Sequence, residues 1–160
     1  YYAPYLTPAV YNGTVYATTT YDATAGGSFL YALDAATGET KWKATGKSSF
    51  MSPWVAPGYP VTVMDAAGTV WAFSQAQGQV VWSKPGSSTL FGDAQGDGTR
   101  FVTGGYRGVV GLVNEAGRAD FVAGDGHLFV SPVLVDSANG QSGALVADTR
   151  GNLYLLSFLK

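Results

Sequence analysis

The sequence predicts an all-β protein made of repeated four-stranded antiparallel units, and three observations lead there. The first is composition. Of 160 residues, 46% are hydrophobic, 14% aromatic and only 12% charged, with 22 glycines. Such a chain has enough apolar surface to fold, and it lacks the long 3.6-period apolar runs of helices. The second is a repeat. Residues 31–42, YALDAATGETKW, read as strand, tight turn and strand. The pattern returns 40 residues later as VWAFSQAQGQVVW, so that Ala72, Gly78 and Trp82 fall on Ala32, Gly38 and Trp42. It returns one residue shorter as GLVNEAGRADF, with Gly117 and Phe121 in the glycine and aromatic places, and a fourth copy, LYLLSFLK at 153–160, stops before its turn. The third is punctuation. Thr7-Pro8-Ala9, Ser52-Pro53-Trp54 and Ser131-Pro132-Val133 stand at matching places in three units. Proline cannot donate to a ladder, so it belongs on an edge strand or at a strand start.

Each element has a local reason. In unit one (6–45), strand A at 6–11 ends in Asn12-Gly13, a two-residue hairpin signal. Strand B at 14–21 alternates β-branched and aromatic residues. A polar, glycine-containing loop at 22–27 leads to strand C at 28–34, and strand D is expected at 39–44. Between C and D, Asp34 can bond its own backbone two residues on, and Gly38 supplies positive φ. Unit two (50–86) places A at 51–55, B at 61–65, C at 69–74 and D at 79–83. Unit three (88–124) places A at 89–93, B at 100–103, C at 109–113 and D at 118–122. Unit four (128–160) has A at 128–135, B at 144–148 and C at 152–158.

Four-stranded units of about 40 residues are the pattern of β-propeller blades. A single blade cannot bury both faces, and face-to-face stacking does so. Trp42, Trp82 and Phe121 would then pack between neighbouring blades. Net charge is −2, which gives no electrostatic case for nucleic acid or an anionic membrane surface. No apolar run reaches the 18 or so residues that span a bilayer. The chain has no cysteine, so thiol and disulfide chemistry are excluded. Low charge and a Thr/Ser/Gly/Ala/Tyr-rich surface favour export. The chain opens on YYAPYLTPAV without a leader, so export would require a leader removed upstream.

The motif A-x-D-x-x-T-G-x-x-x-W, carried in full by Ala32, Asp34, Thr37, Gly38 and Trp42, resembles the repeat of the quinoprotein alcohol dehydrogenase-like, or PQQ-like, propeller family. Unit two keeps Ala72, Gly78 and Trp82 but has Ser74 and Gln77, and units three and four depart further. The resemblance implies the fold over nearly the whole chain. The family spans dehydrogenases, assembly scaffolds and sensor domains, so it implies no single activity. Asp93 to Phe101 and Asp136 to Gly140 resemble the acidic turns of FG-GAP-type blades, which can hold calcium.

Units one to three each have a D strand, whereas unit four ends on C. Three readings follow: four blades forming half of a seven- or eight-bladed ring, a second chain completing the ring, or a closed four-bladed ring. The first is favoured, because the last blade of a family member would stop here.

Candidate site residues are few. Asp93, Gln95 and Asp97 have the alternate spacing of a calcium loop, but Gln95 adds no charge and no bidentate glutamate follows; a plain turn is the simpler reading. Trp42, Trp82, Tyr31 and Trp71 could stack a sugar or cofactor, yet their repeat positions favour blade packing. Trp54, Tyr59 and Tyr106 do not recur and are the candidates for a specific contact surface. His127, the sole histidine, has Asp125 and Ser131 near it in sequence, but proximity along a strand does not make a triad. Asn12-Gly13-Thr14 is a glycosylation sequon. The expected function is a non-catalytic module that binds a protein or other ligand in an exported or cell-surface protein. The alternatives are the C-terminal blades of a PQQ-dependent dehydrogenase, or a carbohydrate-binding propeller. The resemblance implies that many such enzymes stack the quinone on a vicinal disulfide, which a cysteine-free chain cannot form. No cofactor is expected, with PQQ and calcium as minor readings. The expected partner is a protein, a ring-completing second chain or a glycan.

Overall fold

The computed structural model describes residues 6–85, 95–96, 100–104, 107–114, 119–126, 130–136, 142–148 and 150–157. Side-chain surroundings are described for 6–84, 133–135, 143–148 and 150–156. The described chain is all strand and turn, and no helix in it is long and apolar enough to cross a membrane. It divides into two compact units, Tyr1–Pro85 and Gly86–Lys160.

The first unit holds two antiparallel sheets. One is β1 (Ala9–Tyr11), β2 (Thr14–Thr18), β3 (Ser28–Asp34) and β4 (Thr40–Gly46), in that order. Asn12 (φ 45°) and Gly13 (φ 68°) join β1 to β2. Positive φ at both central residues is the I′ geometry that matches strand twist, and Asn-Gly tolerates it best. Cross-strand pairs Tyr16↔Ala32 and Ala32↔Trp42 put these three side chains on one face.

The second sheet is β5 (Val61–Met64), β6 (Thr69–Phe73) and β7 (Val80–Pro85). Here the structure corrects the expectation of a continuous first strand at 51–55. That segment reaches β5 through two isolated bridges, Phe50↔Asp65 and Trp54↔Thr62. Pro53 has no N–H to offer between them, and Pro57 and Pro60 keep the chain from resuming a ladder. The two sheets stack on a shared core of Tyr16, Leu30, Ala32, Trp42, Phe50 and Phe73, with Val61 and Val63.

The second unit also holds two antiparallel sheets. One runs β8 (Gln95–Gly96), β9 (Arg100–Gly104), β10 (Arg107–Asn114) and β11 (Ala119–Gly126) in chain order. The other is β12 (Val130–Asp136), β13 (Ser142–Ala147) and β14 (Leu153–Ser157). β12 runs beside β8 and β9. One face of the last sheet is organised around buried Ala144 and Val146, with Leu134, Tyr154 and Leu156 packed on them. The expected strand at 89–93 lies outside the described residues.

Candidate functional site

Trp42 stands where the two sheets of the first unit meet. Its ring centroid lies 5.8 Å from that of Tyr16 on its own sheet. Its Nε1–H donates to the carbonyl oxygen of Gln75 (2.8 Å), in the turn between β6 and β7. Its indole also covers Gly78 of the same turn, where an added Cβ would fall into the ring. Gly78 therefore has two reasons to be glycine: a φ of +67° and the ring above it.

The turns between outer strands share one design. In the first sheet, Asp34 Oδ1 accepts from the N–H of Ala36 and of Thr37, both at 3.0 Å, and Gly38 N–H donates to the Asp34 carbonyl. Lys41 Nζ lies 3.1 Å from Asp34 Oδ2 and also donates to Thr14 Oγ1 (2.9 Å). The Thr37 backbone, then Lys41 and the Ala36 backbone, hold the Asp34 carboxyl down to about 2. In the second sheet Ser74 stands in for the aspartate: its Oγ accepts from Gln77 and Gln79 N–H, and Gly78 N–H donates to its carbonyl. The turn thus survives a departure from the family motif.

A second design went unread in the sequence. Asp65 Oδ1 accepts from Thr69 N–H and its Oδ2 from Trp71 Nε1–H, both on the strand that follows. Asp148 repeats this in the last sheet. Its Oδ1 accepts from Arg150 and Asn152 N–H, and its Oδ2 from Asn152 Nδ2 and the Tyr154 hydroxyl (3.0 Å). Gly68 and Gly151 take positive φ in these turns. The shared spacing Asp-x-x-Gly-x-x-Trp/Tyr was the available signal. Burial pushes the Asp148 carboxyl up, but Asn152, Tyr154 and Arg150 donate to its charged form and bring it down to about 2.

The contact-surface candidates separate. Trp54 is half-buried and pairs through its backbone with Thr62. Tyr59 sits in the loop before β5, and Gln75 Nε2 donates to the carbonyls of Ala56 (3.1 Å) and Tyr59 (2.6 Å). Gln75 therefore holds Trp42 through its carbonyl and this loop through its amide, a role the sequence did not signal. Tyr31 and Phe29 lie on the first sheet's other face, with Lys43 Nζ 3.6 Å above the Phe29 ring. Trp82 is half-buried opposite Ala72. Asp93, Asp97, Tyr106, Gly117, His127, Asn139 and Gly140 lie outside the described residues. Gln95, Phe121, Asp125, Ser131 and Asp136 are placed on strands, their side chains outside the described set.

Among the described residues no three of His, Cys, Asp and Glu converge as a metal site would need. With no cysteine in the chain, the described residues supply neither a disulfide platform nor a carboxylate cluster for a quinone and its metal.

The model of the family described as outer membrane protein assembly factor BamB matches residues 4–84. No curated protein matches the sequence. Among solved structures, the computationally designed Ika4 protein superposes with TM-score 0.76 at 16% identity, over 95% of this chain and 89% of that one. BamB from Moraxella catarrhalis gives 0.68 at 20%, over 96% of this chain and 43% of BamB. Quinohemoprotein alcohol dehydrogenase from Comamonas testosteroni gives 0.64 at 15%, over 96% of this chain and 34% of the enzyme. At these identities the likeness shows the fold, a β-propeller, and the chain spans less than half the length of either natural protein.

Two outcomes follow from this geometry. Gly78→Ala, which meets both the φ and the Trp42 ring, is expected to cost about 2–4 kcal/mol of stability in urea unfolding. Asp34 and Asp148 both titrate lower in the folded chain than in the unfolded one. Their stabilisation is complete above about pH 5 and is lost as pH falls through about 4 toward 2. Melting temperature should therefore fall over that window, and Asp148→Asn should flatten the fall.

Proposed function

Because the chain belongs to the PQQ-like propeller family whose model is described as outer membrane protein assembly factor BamB, we propose that it is a non-catalytic module that binds protein in an exported or cell-surface protein. The observation that carries this reading is the family match over residues 4–84, just over half of the chain. The chemistry of the first unit supports it. Trp42, Gln75, Gly78 and Asp34 are committed to joining sheets and closing turns. Val80 and Val81 on β7 meanwhile leave aliphatic surface exposed, of the kind protein partners cover. The partner class proposed is protein, and the compartment is the cell envelope or outside it.

A second reading, blades of a PQQ-dependent dehydrogenase, is favoured by the likeness to the quinohemoprotein alcohol dehydrogenase. A ligand that binds only the folded state raises its stability by about 2.7 kcal/mol at a hundred times Kd. Thermal melts with PQQ and calcium therefore separate the two readings. The module reading expects no change in Tm, together with saturable binding of an unfolded outer-membrane β-barrel protein to the immobilised chain. A saturable rise of several degrees with PQQ, or no saturable protein binding, overturns it.

A further inference from the structure

The repeat can be aligned residue by residue through strand register. Tyr16↔Ala32 in the first sheet corresponds to Thr62↔Ala72 in the second and Leu145↔Leu155 in the last. Val133 pairs with Leu145 as Ala9 pairs with Tyr16. The sheet face that carries Leu30 and Ala32 is therefore the same face that carries Leu153 and Leu155.

These equivalent faces differ in what covers them. Leu30 and Ala32 are 0% exposed. Val61, Val63 and Phe73 of the second sheet share their core, and Val55 and Trp71 pack against it. In the last sheet Leu153 and Leu155 are each 66% exposed and Val133 is 53%. Leu145 and Ala147 complete that face, which carries no charge at these five positions. A sheet face turned to solvent normally alternates to polar residues. This one keeps the chemistry of a face that another sheet covers.

The same register identifies the cover. Val61, Val63, Trp71 and Phe73 correspond to Val15, Ala17, Tyr31 and Leu33 of the first sheet. Val55, next to the Trp54↔Thr62 bridge, corresponds to Val10, next to the Ala9↔Tyr16 pair. This face of the first sheet looks away from the shared core; Val10 is 66% exposed and the other four are half-buried. Lys43 lies at its margin with its ammonium on the Phe29 ring, so it needs no carboxylate opposite. The chain thus carries both an exposed receiving face and a partly exposed face of the kind that covers it.

We propose that a second copy of this chain seats its Val10–Val15–Leu33 face on the Val133–Leu145–Leu155 face, and that a two-fold arrangement makes both contacts at once. This develops the ring-completing partner reading and is independent of whether the module binds other proteins.

Sedimentation equilibrium of the 160-residue chain tests it, with circular dichroism confirming strand content in each variant. The expected mass is twice the 16.7 kDa of one chain. Leu155→Lys and Val10→Lys each place a charge on one face at a residue exposed within its own chain, and each should weaken association by about a hundredfold. Mixing the two variants should restore a 1:1 complex, because one intact pair of faces remains. A single-chain mass at every concentration, or an assembly that survives both substitutions, overturns the proposal.

Discussion

The first unit depends on burying sheet faces against one another, and the contact that fixes this is Trp42 over Gly78. A sheet has two faces, and strand hydrogen bonds do nothing to remove apolar surface from water. Stacking does. An indole is the largest side chain available for that work, and its Nε1–H must find an acceptor once buried. The Gln75 carbonyl supplies one at 2.8 Å. The position of the ring then dictates the partner sequence: the turn beneath can carry no side chain at residue 78. The composition of the turn between β6 and β7 is therefore tied to a ring on the neighbouring sheet.

Around that contact the polar groups serve the turns. Asp34, Ser74, Asp65 and Asp148 each draw in backbone N–H groups that a sharp reversal would otherwise strand. The Lys41–Asp34 pair is partly exposed on both sides, so screening leaves it little weight in stability. The Asp148 network is different because its carboxyl is buried, and it is satisfied by a side-chain amide, a phenol and two backbone donors. Hydrophobic stacking holds the sheets together, and the turns anchored on these side chains close the hairpins within each sheet.

Much of this was legible in the sequence. The limits of β3 match the strand expected at 28–34, because the glycine-containing loop at 22–27 and the Asp34 turn bound its apolar run on either side. Asn12-Gly13 was read as a hairpin for the reason it is one: both residues take positive φ. The segment at 51–55 is expected as a strand from the register of Ser52-Pro53-Trp54 against Thr7-Pro8-Ala9. Its prolines decided otherwise, leaving bridges in place of a ladder. Asp65 and Asp148 read in the sequence only as the last residues of strands 61–65 and 144–148, since their donors Trp71 and Tyr154 stand six positions on and become neighbours only when the hairpin closes. Gln75 lay beyond sequence reading altogether. Its acceptor and donor roles face two different segments, and nothing local marks it.

The central claim is that the Trp42 ring and the bare α-carbon of Gly78 are one interaction and not two independent requirements. A double-mutant cycle in urea unfolding, with Gly78→Ala measured beside Trp42 and beside Trp42→Ala, tests it most directly. The account predicts that the alanine at 78 costs markedly less once the ring is gone, with a coupling of about 1–3 kcal/mol. Equal costs in the two backgrounds would mean that the glycine answers only to its φ, and that the stacked contact does not govern how the sheets join.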